Sequence, residues 1–139
     1  MLAPLGPVYQ AGTLSGNPVA MASGIQTLAL LSQPDFYTDL ETKSNSFITE
    51  LKDIIKGKNI VLNHIGSMFT LFFSEHEIRN FDDVKRSNTD RFAKFFSALL
   101  AQNIYISPSA FEASFISQAH TSQQLEQVLA TIKKVLVTL

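Results

Sequence analysis

Six apolar residues near the C-terminus, Leu125, Val128, Leu129, Ile132, Val135 and Leu136, recur at three- and four-residue intervals. That period places them on one stripe of a helix, which must lie against an apolar surface to hide it. Thr121, three residues before Gln124, is a capping pair for its start. The same period runs through Phe92, Phe95, Phe96, Leu99 and Leu100, behind Ser87-Asn88-Thr89-Asp90, which reads as a capping box. It runs again through Phe36, Leu40, Phe47, Leu51 and Ile54, behind a second such box at Ser32-Gln33-Pro34-Asp35, and Gly57 ends that helix. Between the helices lie short runs that read as strands: Ile60–Asn63, then Met68–Phe73 after Gly66, and Ile104–Ile106 stopped by Pro108. Phe111–Ser117 alternates loosely and reads as a further strand, whereas Glu75–Arg86 reads as a polar, irregular loop. Short strands grouped between helices predict an α+β two-layer fold, a small and mostly antiparallel sheet covered by helices. With 11 Phe and no Trp, phenylalanine should dominate the core.

The N-terminal part is different. Pro4 and Pro7 keep residues 1–10 irregular, and Gly12-Thr13-Leu14-Ser15-Gly16-Asn17-Pro18 follows as a small-residue loop. Asn17 suits an N-cap and Pro18 the first helical position. Backbone amides beside the Thr13 hydroxyl offer several donors to an anion such as phosphate. The competing reading is a glycine-rich turn that only caps a helix; it is not a Walker A loop, because no Lys follows the second glycine. The helix from Pro18 to Leu31 is apolar nearly all round, which predicts burial on more than one side.

Other chemistries are excluded or disfavoured. A net charge of −1 without a basic run argues against a nucleic-acid partner. No apolar run is long enough to span a bilayer, no signal peptide is evident, and a cytoplasmic location is expected. The absence of cysteine excludes disulfides and thiolate chemistry. His64, His76 and His120 have no metal-ligand spacing, so solvated or capping roles are expected and no metal site. The lysines fall on polar helix faces, in a turn or in the charged loop, and none reads as a desolvated amine suited to Schiff-base chemistry. Charged residues are only 17%, against about 25% in an average protein, which suggests surface covered by another domain or subunit. Glu112, between Phe111 and Ala113, has apolar neighbours and no adjacent cation. It must be paired, hydrogen-bonded or exposed at a cleft, or else be a strand residue facing solvent.

Four stretches together resemble the glutamate-1-semialdehyde 2,1-aminomutase family. They are Gly6-Pro7-Val8-Tyr9-Gln10-Ala11-Gly12-Thr13-Leu14-Ser15-Gly16-Asn17-Pro18, Gly66-Ser67-Met68-Phe69 with Phe72-Phe73, Ser107-Pro108-Ser109-Ala110-Phe111-Glu112-Ala113, and Ala119-His120-Thr121. The loop alone is similar to the wider class-III aminotransferases; the Phe-Glu-Ala segment is specific to the aminomutase. The resemblance covers essentially the whole chain but only the last third of such an enzyme.

It implies the C-terminal small domain of a fold-type I enzyme that uses pyridoxal 5′-phosphate and its pyridoxamine form. On that basis residues 1–17 are a cofactor-phosphate segment of a missing large domain, 18–32 a connecting helix, and 33–139 the small α/β domain. The resemblance further implies a homodimer in which Gly12 and Thr13 reach the cofactor phosphate across the interface, with Glu112 in the substrate pocket. The reaction implied is an internal amino transfer that converts glutamate-1-semialdehyde to 5-aminolevulinate for tetrapyrrole synthesis. No catalytic residue is assigned within the chain, because the Schiff-base lysine is absent, so these 139 residues alone are expected to be inactive. The alternatives are the same part of a class-III ω-aminotransferase, or a non-catalytic α+β interaction module.

Overall fold

The computed structural model describes all 139 residues, Met1–Leu139. It divides into two compact units, residues 1–36 and 37–139.

In the first unit a turn-rich segment leads through the glycine loop into helix α1 (Pro18–Leu31). Asn17 caps it through Oδ1, which accepts from the amides of Val19 at 3.0 Å and Ala20 at 3.1 Å, with Pro18 in the first turn. No residue of α1 is buried, and Val19, Met21, Ile25 and Leu28 are all exposed. The expected burial on several sides is thus not met within this chain, which supplies no surface to cover those side chains. Ser32 closes α1, its amide donating to the Leu28 carbonyl at 2.9 Å, instead of opening the next helix. Asp35, at φ 64°, is in the left-handed region where a helical first turn cannot form.

The second unit follows the order α2 (Phe36–Ile55), β1 (Val61–Ile65), β2 (Met68–Phe72), α3 (Phe81–Lys85), α4 (Thr89–Leu100), β3 (Ser114–Phe115) and α5 (Ser122–Thr138). The strands form one antiparallel sheet in the order β1-β2-β3. Ile65 pairs with Met68, leaving Gly66-Ser67 as a two-residue hairpin loop. Gly66 alone of the two has a positive φ, 52°, the pattern of a II′ turn with glycine first.

The core is built as the periodicity requires. Phe47 and Leu51 from α2, Phe95 and Leu99 from α4, and Leu129 and Ile132 from α5 are buried with Leu71 and Phe73 of the sheet region. Phe73 lies 5.3 Å from Phe95 and 6.3 Å from Phe92, between ring centroids. Leu100, expected on this face, is instead 47% exposed at the helix end. The Thr121–Gln124 capping box is present in both directions, at 3.2 and 2.9 Å. At α4 the cap is Asn88, one residue later than expected: its Oδ1 accepts from the Arg91 amide at 2.9 Å, while the Ser87 hydroxyl donates to the Val84 carbonyl.

Two expected strands shrink. Residues 104–106 join no strand, and the Ile104 amide instead donates to the Leu99 carbonyl at 3.0 Å. The 111–117 run keeps only Ser114–Phe115, since the residues before it are spent on a turn.

The polar loop at 75–86 contains α3, held by a reciprocal capping box between Asn80 and Asp83. The Asp83 carboxylate accepts from the amides of Arg79 at 3.0 Å and Asn80 at 3.2 Å and pairs with Arg86. The Arg79 amide first, then the Asn80 amide and the nearby guanidinium charges, hold its carboxyl below the usual aspartate range. A carboxyl depressed in the folded state stabilises above the unfolded value of about 4 and loses that contribution as pH falls through the lowered value. Hydrogen exchange across Asn80–Lys85 should therefore accelerate on acidification below about pH 4, relative to α5, and Asp83→Asn should remove the pH-dependent part.

Candidate cofactor and substrate site

The glycine loop belongs to the first unit. The Ser15 amide donates to the Gly12 carbonyl and the Asn17 amide to the Leu14 carbonyl, each at 3.0 Å, which folds 12–17 into two successive turns. Residues 11–16 are exposed, and the Thr13 hydroxyl is not taken up by any other group of the chain. A Cβ on Gly12 would meet Ser15 Oγ, which can rotate aside, and press on Ser15 Cβ at 3.3 Å. Gly16 has φ 75°, which only glycine adopts at no cost. The first amides of α1 are taken up by Asn17, so the donors left for an anion are the exposed amides of Gly12, Thr13, Leu14 and Gly16 with the Thr13 hydroxyl.

The second unit holds a cleft of about 420 Å³ between the 104–108 segment, β3 and the start of α5. Its apolar lining includes Phe47, Phe69, Ile106, Phe115 and Val128; its polar lining includes Ser107, Glu112 and His120. Glu112 is exposed in a turn, not on a strand, with its carboxylate bonded to Ser107 Oγ at 2.5 Å. Its amide donates to the Ser109 carbonyl at 3.2 Å. All three ion pairs of the chain lie within 77–86, so no cation neutralises Glu112. Of the alternatives open in the sequence, the carboxylate is both hydrogen-bonded and exposed at a cleft.

The histidines act as local structure. His120 Nδ1 accepts from the Ser117 amide at 3.1 Å, His76 lies in a turn closed by Ser74, and His64 Nε2 is 3.1 Å from Lys52 Nζ. No group of histidine and carboxylate side chains is placed to hold a metal ion. Two lysines do more than solvate a helix face. Lys43 Nζ donates to the carbonyls of Gln118 and His120, both at 2.9 Å, and Lys58 Nζ donates to the Leu136 carbonyl at 3.3 Å. Lys43 thereby fastens the loop that enters α5 and lines the cleft. Sequence pattern cannot find such a bond, since its partners are backbone carbonyls 75 and 77 residues away.

No protein-family model matches the chain. Among curated proteins it is 50% identical over 134 residues to the glutamate-1-semialdehyde 2,1-aminomutase of Protochlamydia amoebophila, covering 95% of this chain and 31% of that protein. To the enzyme of the same name from Thermus thermophilus it is 46% identical over 138 residues, covering 97% and 32%. The chain thus spans about a third of the length of the relatives it matches. Among solved structures, a β-phenylalanine aminotransferase from Variovorax paradoxus superposes with a TM-score of 0.80 at 23% identity, over 98% of this chain and 32% of that one. An omega-transaminase from Sphaerobacter thermophilus gives 0.76 at 17%, over 96% and 30%. The chain is therefore related in sequence to the C-terminal part of the glutamate-1-semialdehyde 2,1-aminomutases, and in fold to the aminotransferases.

Proposed function

We propose that this chain forms the C-terminal part of a pyridoxal 5′-phosphate-dependent aminomutase that converts glutamate-1-semialdehyde to 5-aminolevulinate in the cytoplasm. The observation that carries this is 46–50% identity, over nearly the whole chain, to proteins of that one name. The transaminase neighbours, at 17–23% identity, speak for the fold and not for an ω-aminotransferase activity.

When bound, the cofactor supplies the electron sink for moving an amino group between adjacent carbons. The residues of this chain bind and select. Gly12 offers backbone and Thr13 its hydroxyl to the cofactor phosphate of the neighbouring subunit in a homodimer. The exposed donor set of the loop supports this role, as does the positive end of the α1 dipole behind it. The uncovered apolar faces of α1 suit a place against the rest of such an enzyme.

Glu112 selects. Its charge, with no cation beside it, disfavours a second carboxylate near the reacting carbon and so favours a substrate with a single carboxylate.

Two experiments test the reading. The purified 139-residue chain should show no aminomutase turnover, and turnover would overturn the view that it holds only part of a site. In the full-length enzyme, Thr13→Val should weaken cofactor binding roughly tenfold, the loss of one hydrogen bond to a charged group, while Thr13→Ser should retain it. Unchanged affinity in Thr13→Val would remove the loop from the phosphate site.

A further inference from the structure

A carboxylate that repels a second carboxylate has two requirements that pull against each other. It must be held in place, because repulsion falls with distance and a long, exposed Glu side chain samples many rotamers. It must also keep its charge, so the usual way of holding a carboxylate, with Lys or Arg, would defeat the purpose.

The 107–112 turn meets both requirements. The Glu112 backbone is fixed from two sides, by its own amide on the Ser109 carbonyl at 3.2 Å and by Thr70 Oγ1 of β2 on its carbonyl at 3.4 Å. The side chain then has one partner, Ser107 Oγ at 2.5 Å from Oε2. Pro108 follows Ser107 and restrains the turn between them, and Ser109 Oγ accepts from the Phe111 amide at 3.2 Å. Ser107 is half-buried, Glu112 is exposed, and both line the cleft. A neutral hydroxyl donates one hydrogen bond to a carboxylate and leaves its net charge intact.

We propose that Ser107 is the positioning residue for Glu112: its hydroxyl holds the carboxylate at the cleft without neutralising it, and so sets how strongly the site rejects a second substrate carboxylate. This rests on the selective role given to Glu112 above.

The test uses the full-length enzyme with 4-aminobutyrate and glutamate as probes, which differ by the carboxylate on the amine-bearing carbon. The readout is the ratio of their dissociation constants, with the thermal midpoint as a control for folding. Glu112→Gln should lower the preference for 4-aminobutyrate roughly tenfold. Ser107→Ala should lower it about threefold, the partial loss expected when the charge is present but free to move. Ser107→Thr, which keeps the hydroxyl, should stay within about twofold of the parent. Should the alanine variant not fold, Ser107→Cys, of similar size but a weak donor, gives the same reading. A shift in Glu112→Gln with none in Ser107→Ala overturns the positioning role and leaves Glu112 as the selector. A loss in Ser107→Ala that threonine does not restore overturns it as well. No shift in Glu112→Gln removes the selective role of Glu112, and the role of Ser107 falls with it.

Discussion

The second unit depends on how the end of β2 is fastened to α4. Phe73, just beyond the strand, packs its ring against Phe95 and Phe92, and Arg91 lies over it 5.0 Å from the centroid. Its carbonyl accepts from the amide of Asn88, the residue that caps α4, at 2.8 Å. Arg91 in turn donates to the Lys58 carbonyl at 3.0 Å, at the entrance to β1. Phe73 and Arg91 together therefore tie the sheet, the helix start and the turn after α2. The loops that line the cleft are hung from this frame, with Lys43 and Thr70 as their ties.

What the sequence made legible follows from periodicity and caps. The stripes of α2, α4 and α5 point into the core, and the Thr121–Gln124 and Asn17–Pro18 signatures start their helices. The errors arise where two local rules compete for the same residues. Ser32 is taken up as the C-cap of α1, and at α4 two adjacent polar residues, Ser87 and Asn88, compete for the cap, which Asn88 fills. The 104–106 run has strand-like side chains, but its first amide is drawn to the end of α4, and Asn103 turns the chain at φ 60°. The small helix α3 has too few apolar residues to show a period, so only its capping box could have revealed it.

The proposed site rests on sequence signals of kind more than of detail. A loop of small residues before a helix speaks for an anion site by chemistry alone, and an acidic residue among apolar neighbours speaks for a cleft. The partner that holds that acid does not stand out, because serine is common in turns and its bond to Glu112 exists only once the 107–112 turn closes. In the proposed account the first unit offers anion donors, the second a selecting carboxylate, and the reactive amine lies outside these 139 residues.

That last point is open to direct test by titrating the chain with pyridoxal phosphate, reducing with borohydride and mapping the peptides by mass. The account predicts no stoichiometric adduct on any single lysine, since Lys43 and Lys58 are engaged with backbone carbonyls and the others decorate the surface. A stoichiometric adduct on one lysine would mean that the chain carries a complete cofactor site of its own, and would contradict it.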